Sequence, residues 1–233
     1  GRPVYKDGLF THLKGVGWVV ENYQCAQVSL NLTNYRVTPP QDVLEAAREL
    51  AARRGIVVTG SEVVGVVPFE AMQQAGRFYL RRMQKSTGVP ARDIVRTAVQ
   101  AMGLNDVAEF DIERKVIGLP QPGGPLAARS VADFVDEVSR DTPAPGGGSI
   151  AALAGALGAA LASMVANLSI GKGEFDARYE ELCALAERAQ AAKDELVGAI
   201  DADTEAFNEV LAALRLAKDT PEQVAARSAA IRA

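Results

Sequence analysis

The stretch from Thr142 to Gly171 contains no Asp, Glu, Lys or Arg, and it opens on PAPGGGS, residues 143–149. At about thirty residues it is long enough for a bilayer-spanning helix, which needs roughly twenty. Its composition argues otherwise. Ala and Gly dominate, no aromatic belt marks either end, and no basic cluster flanks it. Gly155, Ala159 and Ser163 recur at every fourth position, a spacing that lets a second helix approach closely. The expectation is a helix buried in a soluble bundle or at a subunit contact, with no membrane partner. At its start Pro143 and Pro145 fix φ, Gly146, Gly147 and Gly148 permit unusual backbone angles, and Ser149 is placed to cap the helix. Such a start gathers unpaired N–H groups at the positive end of the helix dipole. Two readings stay open: a tight turn into a capped helix, or a seat for phosphate or carboxylate. A Walker loop is excluded, because GGGS lacks the Gly-Lys-Ser/Thr ending.

The rest of the chain narrows the class. Its 233 residues leave room for one large domain or two small ones. With 48% apolar and 23% charged residues it is a globular chain, too apolar for disorder. The balance of 25 basic against 29 acidic residues gives −4, so no broad attraction to nucleic acid is expected. Cys25 and Cys183 are the two cysteines, and neither has a Cys or His neighbour at metal-ligand spacing. No disulfide or metal framework is expected, and a cytoplasmic setting is the default. The opening GRPVYKDGLF reads as the middle of a loop, and the closing TPEQVAARSAAIRA stops inside a helical pattern. The expectation is a piece of a longer chain.

Two halves follow different rules. In the first, GVGWVV and AQVSLNLTNY are rich in β-branched and aromatic residues and predict a hairpin across ENYQC. TPPQDVLEAARELAARRG predicts a helix capped by Thr38, opened by proline and stopped at Gly55, with Val43, Leu44, Ala47, Leu50 and Ala51 as its apolar stripe. IVVTGSEVVGVV predicts a return to strand, and PFEAMQQAGRFYLRRM and PARDIVRTAVQAMGL predict two more helices. Residues 1–118 are therefore expected to form an α/β (α+β) layer. The Pro- and Gly-dense GLPQPGGPLAARS (118–130) gives a linker over 119–130. From 131 to 233 every segment reads as helix, with Ser130 as the first cap, so the second half is expected to be an all-α bundle.

One carboxylate is a candidate for chemistry. In AIDADTEAFNEVLAAL the stripe Ile200, Phe207, Val210, Leu211, Leu214 puts Asp203 on the apolar side, with Asp201 on the polar side beside Glu205 and Asn208. A desolvated carboxylate titrates nearer neutrality and suits general acid–base work. A helix-packing Asp bonded to a backbone end or to an Arg is the alternative. His12, the single histidine, reads as a solvated loop residue, and the pairs Arg53–Arg54 and Arg81–Arg82 as exposed helix ends. Trp18 is expected in the core of its strand. Gln27, Ser29, Asn31 and Thr33 share one strand face, either solvated or lining a polar site.

The residues also resemble a known family. GVGWVVENYQCAQVSLNLTNYRVTPP with GSEVVGVVP is similar to the C-terminal subdomain of glutamate formiminotransferase. FVDEVSRDTPAPGGGSIAALAGALGAALASMVANLSIGK with DADTEAF is similar to the opening of formiminotetrahydrofolate cyclodeaminase. The two occur fused in this order in the bifunctional formiminotransferase-cyclodeaminases of histidine breakdown. The resemblance implies a ferredoxin-like sheet with helices in the first half and a helical bundle in the second. It implies transfer of a formimino group from N-formimino-L-glutamate to tetrahydrofolate, then ring closure to 5,10-methenyltetrahydrofolate with loss of ammonia. It places the cyclodeaminase acid–base on Asp203, makes Tyr23 a folate contact, and tips Gly146, Gly147, Gly148 and Ser149 toward a folate-binding loop. Tetrahydrofolate would be a cosubstrate, with no metal, and a homo-oligomer is expected. The transferase's catalytic His has no match in this chain, and the cyclodeaminase half is short. The 233 residues by themselves are thus expected to lack transfer activity and to have little or no ring closure. A methenyltetrahydrofolate cyclohydrolase and a non-catalytic folate-binding or oligomerisation module are the alternatives.

Overall fold

A computed structural model describes residues 8–21, 24–121 and 123–232. The chain divides into two compact units, Gly1–Leu119 and Pro120–Ala233. The first mixes strands and helices and the second is helical, as the sequence predicts.

In the first unit β1 (Leu13–Val20) and β2 (Cys25–Leu32) form the antiparallel hairpin, with Trp18 opposite Gln27 and Val16 opposite Ser29. Trp18 is 46% exposed, because no further layer covers the hairpin among the described residues. Helix α1 (Pro40–Ala52) opens on proline and ends before Gly55, whose φ of 69° closes the turn. Thr38 does not cap it: its buried hydroxyl donates to the Thr11 carbonyl, and Pro39 takes the N-cap position. Val43 and Leu44 are buried while Leu50 at the far end is exposed. The strand expected over 56–67 shrinks to β3 (Val67–Pro68). The preceding residues are tied to the end of a helix instead: Ser61 donates through its N–H to Gly103 O and through Oγ to Met102 O.

The core of this unit lies between α2 (Phe69–Arg82) and α3 (Ala91–Met102). Met72, Ala75, Tyr79, Val95, Ala98 and Val99 interdigitate there, and Gly76 lets α2 approach so closely that a Cβ would sit 2.1 Å from Ile94 O. A short α4 (Ile112–Lys115), capped by Asp111, leads into β4 (Val116–Ile117), which pairs with β3 in parallel. Among the described residues the strands thus form two separate pairs, not one continuous sheet.

In the second unit α5 (Val131–Val138) starts on Ser130, whose Oγ accepts from Asp133 N as expected. Two long helices follow, α6 (Gly147–Ser169) and α7 (Tyr179–Leu214), then α8 (Pro221–Arg232). α6 and α7 run antiparallel, since Ser149 meets Ile200 while Ala166 packs with Leu182 and Ala186. The buried face of α6 is Ser149, Ala152, Ala156, Ser163 and Ala166, a three–four spacing typical of a helix-pair seam. Its small side chains bring the helices close, and a Cβ on Gly155 would stand 3.1 Å from a Leu196 methyl. α6 is the one helix among the described residues long and apolar enough to cross a bilayer, at mean hydropathy 1.9. Here one face is buried against α7, while Leu157, Leu161, Val165 and Leu168 on the other remain exposed.

Candidate functional site

The chemistry-bearing side chains gather where α7 passes the start of α6. Residues two apart on a helix point about 200° apart around its axis, so Asp201 and Asp203 serve different neighbours. Asp201 is buried at 7% exposure; its Oδ1 accepts from Leu126 N at 2.7 Å and its Oδ2 from Ala127 N at 3.0 Å. Gly124 lies against it, with a Cβ there falling 2.5 Å from Asp201 Cγ. Leu126 and Ala127 pack on Phe134, Ala152 and Ile200, so residues inside the stretch read as a linker are pinned to the second unit.

Asp203 is exposed. Its Oδ2 accepts from Ser149 N at 2.9 Å, and Ser149 Oγ lies 3.2 Å from the same oxygen. The assignment of faces drawn from the helical wheel is therefore reversed: Asp201 is the buried carboxylate and Asp203 the exposed one. The wheel assumed that Phe207, Val210 and Leu214 mark a covered face, yet these three are 40%, 39% and 44% exposed. Packing at this level of α7 is set by Ile200 and by the turn at Leu126.

Ser149 is also not the cap. Gly146 holds the N-cap position, Gly147 and Gly148 form the first turn, and Ser149 is the third helical residue. Capping comes from Asp203 on the neighbouring helix, a carboxylate at a positive helix end. Ser149 is fully buried, its Oγ 2.7 Å from Ile200 O and 3.1 Å from Thr204 Oγ1. Gly147 and Gly148 are exposed, and their N–H groups precede the first acceptor the helix can offer. Gly148 leaves room for Asp203 in this position, because a Cβ would fall 2.0 Å from its Oδ1. The result is an exposed carboxylate with Oδ2 anchored by Ser149 and Oδ1 against Gly148, beside exposed glycine N–H groups.

The other candidates lie apart from this cluster in the sequence. Tyr23 falls outside the described residues. His12 is exposed in a left-handed turn, φ 54°, as a solvated loop residue should be. On the strand face Gln27 Nε2 donates to Glu62 Oε1 at 2.9 Å. Among the described residues no three His, Cys, Asp or Glu side chains converge. Gly124 and Thr204 went unnoticed in the sequence, and Asp201 was read there as a polar-face residue. The signal for Gly124 and Asp201 was the PGGP of residues 122–125, a glycine pair leading into a turn that needs an acceptor.

Comparison with known proteins assigns both units. Residues 130–233 match the family model described as formiminotransferase-cyclodeaminase, and residues 1–119 match the formiminotransferase domain. The chain belongs to the formiminotransferase-cyclodeaminase family. It is 37% identical over 235 residues to the formimidoyltransferase-cyclodeaminase of Mus musculus, covering 99% of this chain and 43% of that one. A methenyltetrahydrofolate cyclohydrolase of Methylorubrum extorquens is 42% identical over 102 residues, 44% of this chain and 49% of the relative. A glutamate formimidoyltransferase of Thermoplasma acidophilum is 40% identical over 76 residues, 33% of this chain and 25% of the relative. The chain spans less than half the length of the formimidoyltransferase-cyclodeaminases it matches.

Proposed function

We propose that these residues serve a cytoplasmic, folate-dependent enzyme of histidine catabolism. Such an enzyme transfers the formimino group of N-formimino-L-glutamate to tetrahydrofolate and then closes the ring with release of ammonia. The observation that carries the ring-closing half is Asp203, exposed at the start of α6, with Oδ2 fixed by Ser149 and Oδ1 beside Gly148. In this reading the folate lies over Gly146, Gly147 and Gly148, whose N–H groups face its anionic part, with Ser149 beneath them and Tyr23 as a further folate contact. As N10 attacks the formimino carbon, Asp203 Oδ1 takes the N10 proton. The formimino group enters as the amidinium; the same oxygen then passes the N10 proton to its terminal nitrogen, the bond from that nitrogen to the formimino carbon breaks, and ammonia leaves with 5,10-methenyltetrahydrofolate. Tetrahydrofolate is the cosubstrate and the step needs no metal. The uncovered apolar face of α6 supports a homo-oligomer.

The test uses a polypeptide of the relatives' full length carrying these residues. Asp203→Asn should lower ring closure by at least about a hundredfold, the usual worth of a general acid–base. The unfolding midpoint should barely move, because Asn keeps an oxygen for the helix cap. Ring closure at the original rate would remove Asp203 from the chemistry. A second reading, hydrolysis of a methenyl folate, is favoured by the match to the cyclohydrolase over the second unit. Methenyl hydrolysis without ammonia release from the formimino folate would select it.

A further inference from the structure

We propose that Ser149 is a positioning residue for Asp203, its hydroxyl switching partners as the carboxyl gains and loses its proton. The inference rests on the acid–base reading of Asp203 given above. A hydroxyl has one proton and two lone pairs. Ser149 Oγ is fully buried with three oxygens around it: Ile200 O at 2.7 Å, Thr204 Oγ1 at 3.1 Å and Asp203 Oδ2 at 3.2 Å. Ile200 O and an ionised Asp203 can only accept, and one proton cannot serve both. The Thr204 hydroxyl brings the second proton and donates it to Ser149 Oγ.

Two arrangements satisfy the cluster. With Asp203 ionised, the Ser149 hydroxyl donates to Oδ2, on the oxygen that Ser149 N–H already holds, and a bond to a charged acceptor is the stronger choice. Ile200 O then relies on its intrahelical partner four residues on. With Asp203 neutral that pull is gone, and the Ser149 proton turns to Ile200 O, the nearer acceptor. Neither state strands a buried polar atom, a condition that buried groups meet almost without exception. Oδ2 stays anchored throughout, so the proton exchanged with substrate is carried on Oδ1. Gly148 completes the arrangement by leaving room for that oxygen.

The experiment compares Ser149→Ala with Asp203→Asn in the same full-length polypeptide, with 5-formiminotetrahydrofolate as substrate. Loss of one hydrogen bond to a charged group should lower kcat for ring closure about tenfold. KM should stay unchanged, since Ser149 is buried beneath the substrate's seat. In the Asp203→Asn background Ser149→Ala should add no further loss of kcat, because the group it positions is gone. Unchanged kcat, or a raised KM at constant kcat, overturns the inference and leaves Asp203's role standing. Ring closure that survives Asp203→Asn sinks the acid–base reading itself. If Ser149→Ala does not fold, Thr204→Val removes the second proton of the chain and should lower kcat about threefold by the same hydrogen-bond scale. Full activity in Thr204→Val would then overturn the inference.

Discussion

Two glycine-rich turns in the second unit are held by the same helix, and they are held differently. At 124–128 and again at 146–149 the chain turns on glycine, offers backbone N–H groups, and meets a carboxylate from α7 with a glycine pressed against it. Asp201 spends both oxygens on the first turn and is buried there. Asp203 spends one oxygen on the second and is exposed. A carboxylate bonded on both sides and covered has no oxygen left for a substrate, whereas a half-bonded one is held in place with an oxygen to spare. The structural carboxylate and the one we propose for chemistry are thus two residues apart on one helix, and they differ in what the second oxygen meets.

The comparison breaks or holds first on stability. Asp201→Ala removes the acceptor of two half-buried N–H groups, those of Leu126 and Ala127, and should cost about 3 kcal/mol, the scale for lost bonds to a charged acceptor. Asp203→Ala removes one cap from an exposed helix start and should cost about 1 kcal/mol. Urea unfolding of both variants checks the order. A larger loss at Asp203 than at Asp201 would mean that the exposed carboxylate is the structural one.

Swapping the glycines should sharpen the same contrast with smaller effects. Gly124→Ala puts a Cβ 2.5 Å from the Cγ of a side chain that cannot move, and overpacking of that kind costs about 1–3 kcal/mol. Gly148→Ala puts one 2.0 Å from Oδ1 of a side chain that can swing into water. Its stability should change by less than about 1 kcal/mol, helped by the better helix propensity of Ala. On the proposed acid–base role of Asp203, ring closure by the full-length polypeptide should nevertheless drop, because Asp203 leaves its place. Equal destabilisation by both alanines would show that Asp203 is as confined as Asp201.

How much of this was legible follows from the range of each interaction. The hairpin was legible because its alternation is local, and the helices because their stripes and proline starts are local too. α6 was legible from its spacing of small residues, though only one of its faces is buried. The turn on Asp201 was not, because its partner lies some seventy residues downstream and nothing in LAAR announces which acceptor it will find. The wheel for α7 misplaced Asp203 for a related reason: it assigns one wet and one dry side, while this helix meets Leu126 and Ser149 on different sides and leaves part of its apolar stripe bare. Trp18 misled in the same way, since a strand pattern tells which residues share a face but not whether anything covers it.

A third carboxylate, in the first unit, sharpens the contrast by using side-chain partners instead of backbone. Glu45 on α1 accepts from Arg48 Nη1 at 2.6 Å, from Tyr79 Oη at 3.0 Å, and from Arg82. Burial pushes its carboxyl up, but the hydrogen bonds from Arg82, Arg48 and Tyr79 outweigh that and hold it below the ordinary value of 4.5. Burial, followed by the Glu45 charge, pushes Tyr79 up to about 12. A carboxyl depressed on folding stabilises fully above its unfolded value, and that contribution is lost as pH falls through the folded one. Glu45→Gln should therefore cost about 0.5–1 kcal/mol at neutral pH, the scale of a partly solvated ion pair. The gap to the parent chain should close as the medium is acidified below the ordinary glutamate range. It should also narrow in about 1 M salt, where screening acts within about 3 Å. The Asp201 difference should persist there, because backbone N–H donors carry no net charge to screen. A Glu45 gap indifferent to both acid and salt would mean that this side chain acts through packing, and the distinction between charge-held and backbone-held carboxylates would not extend to the first unit.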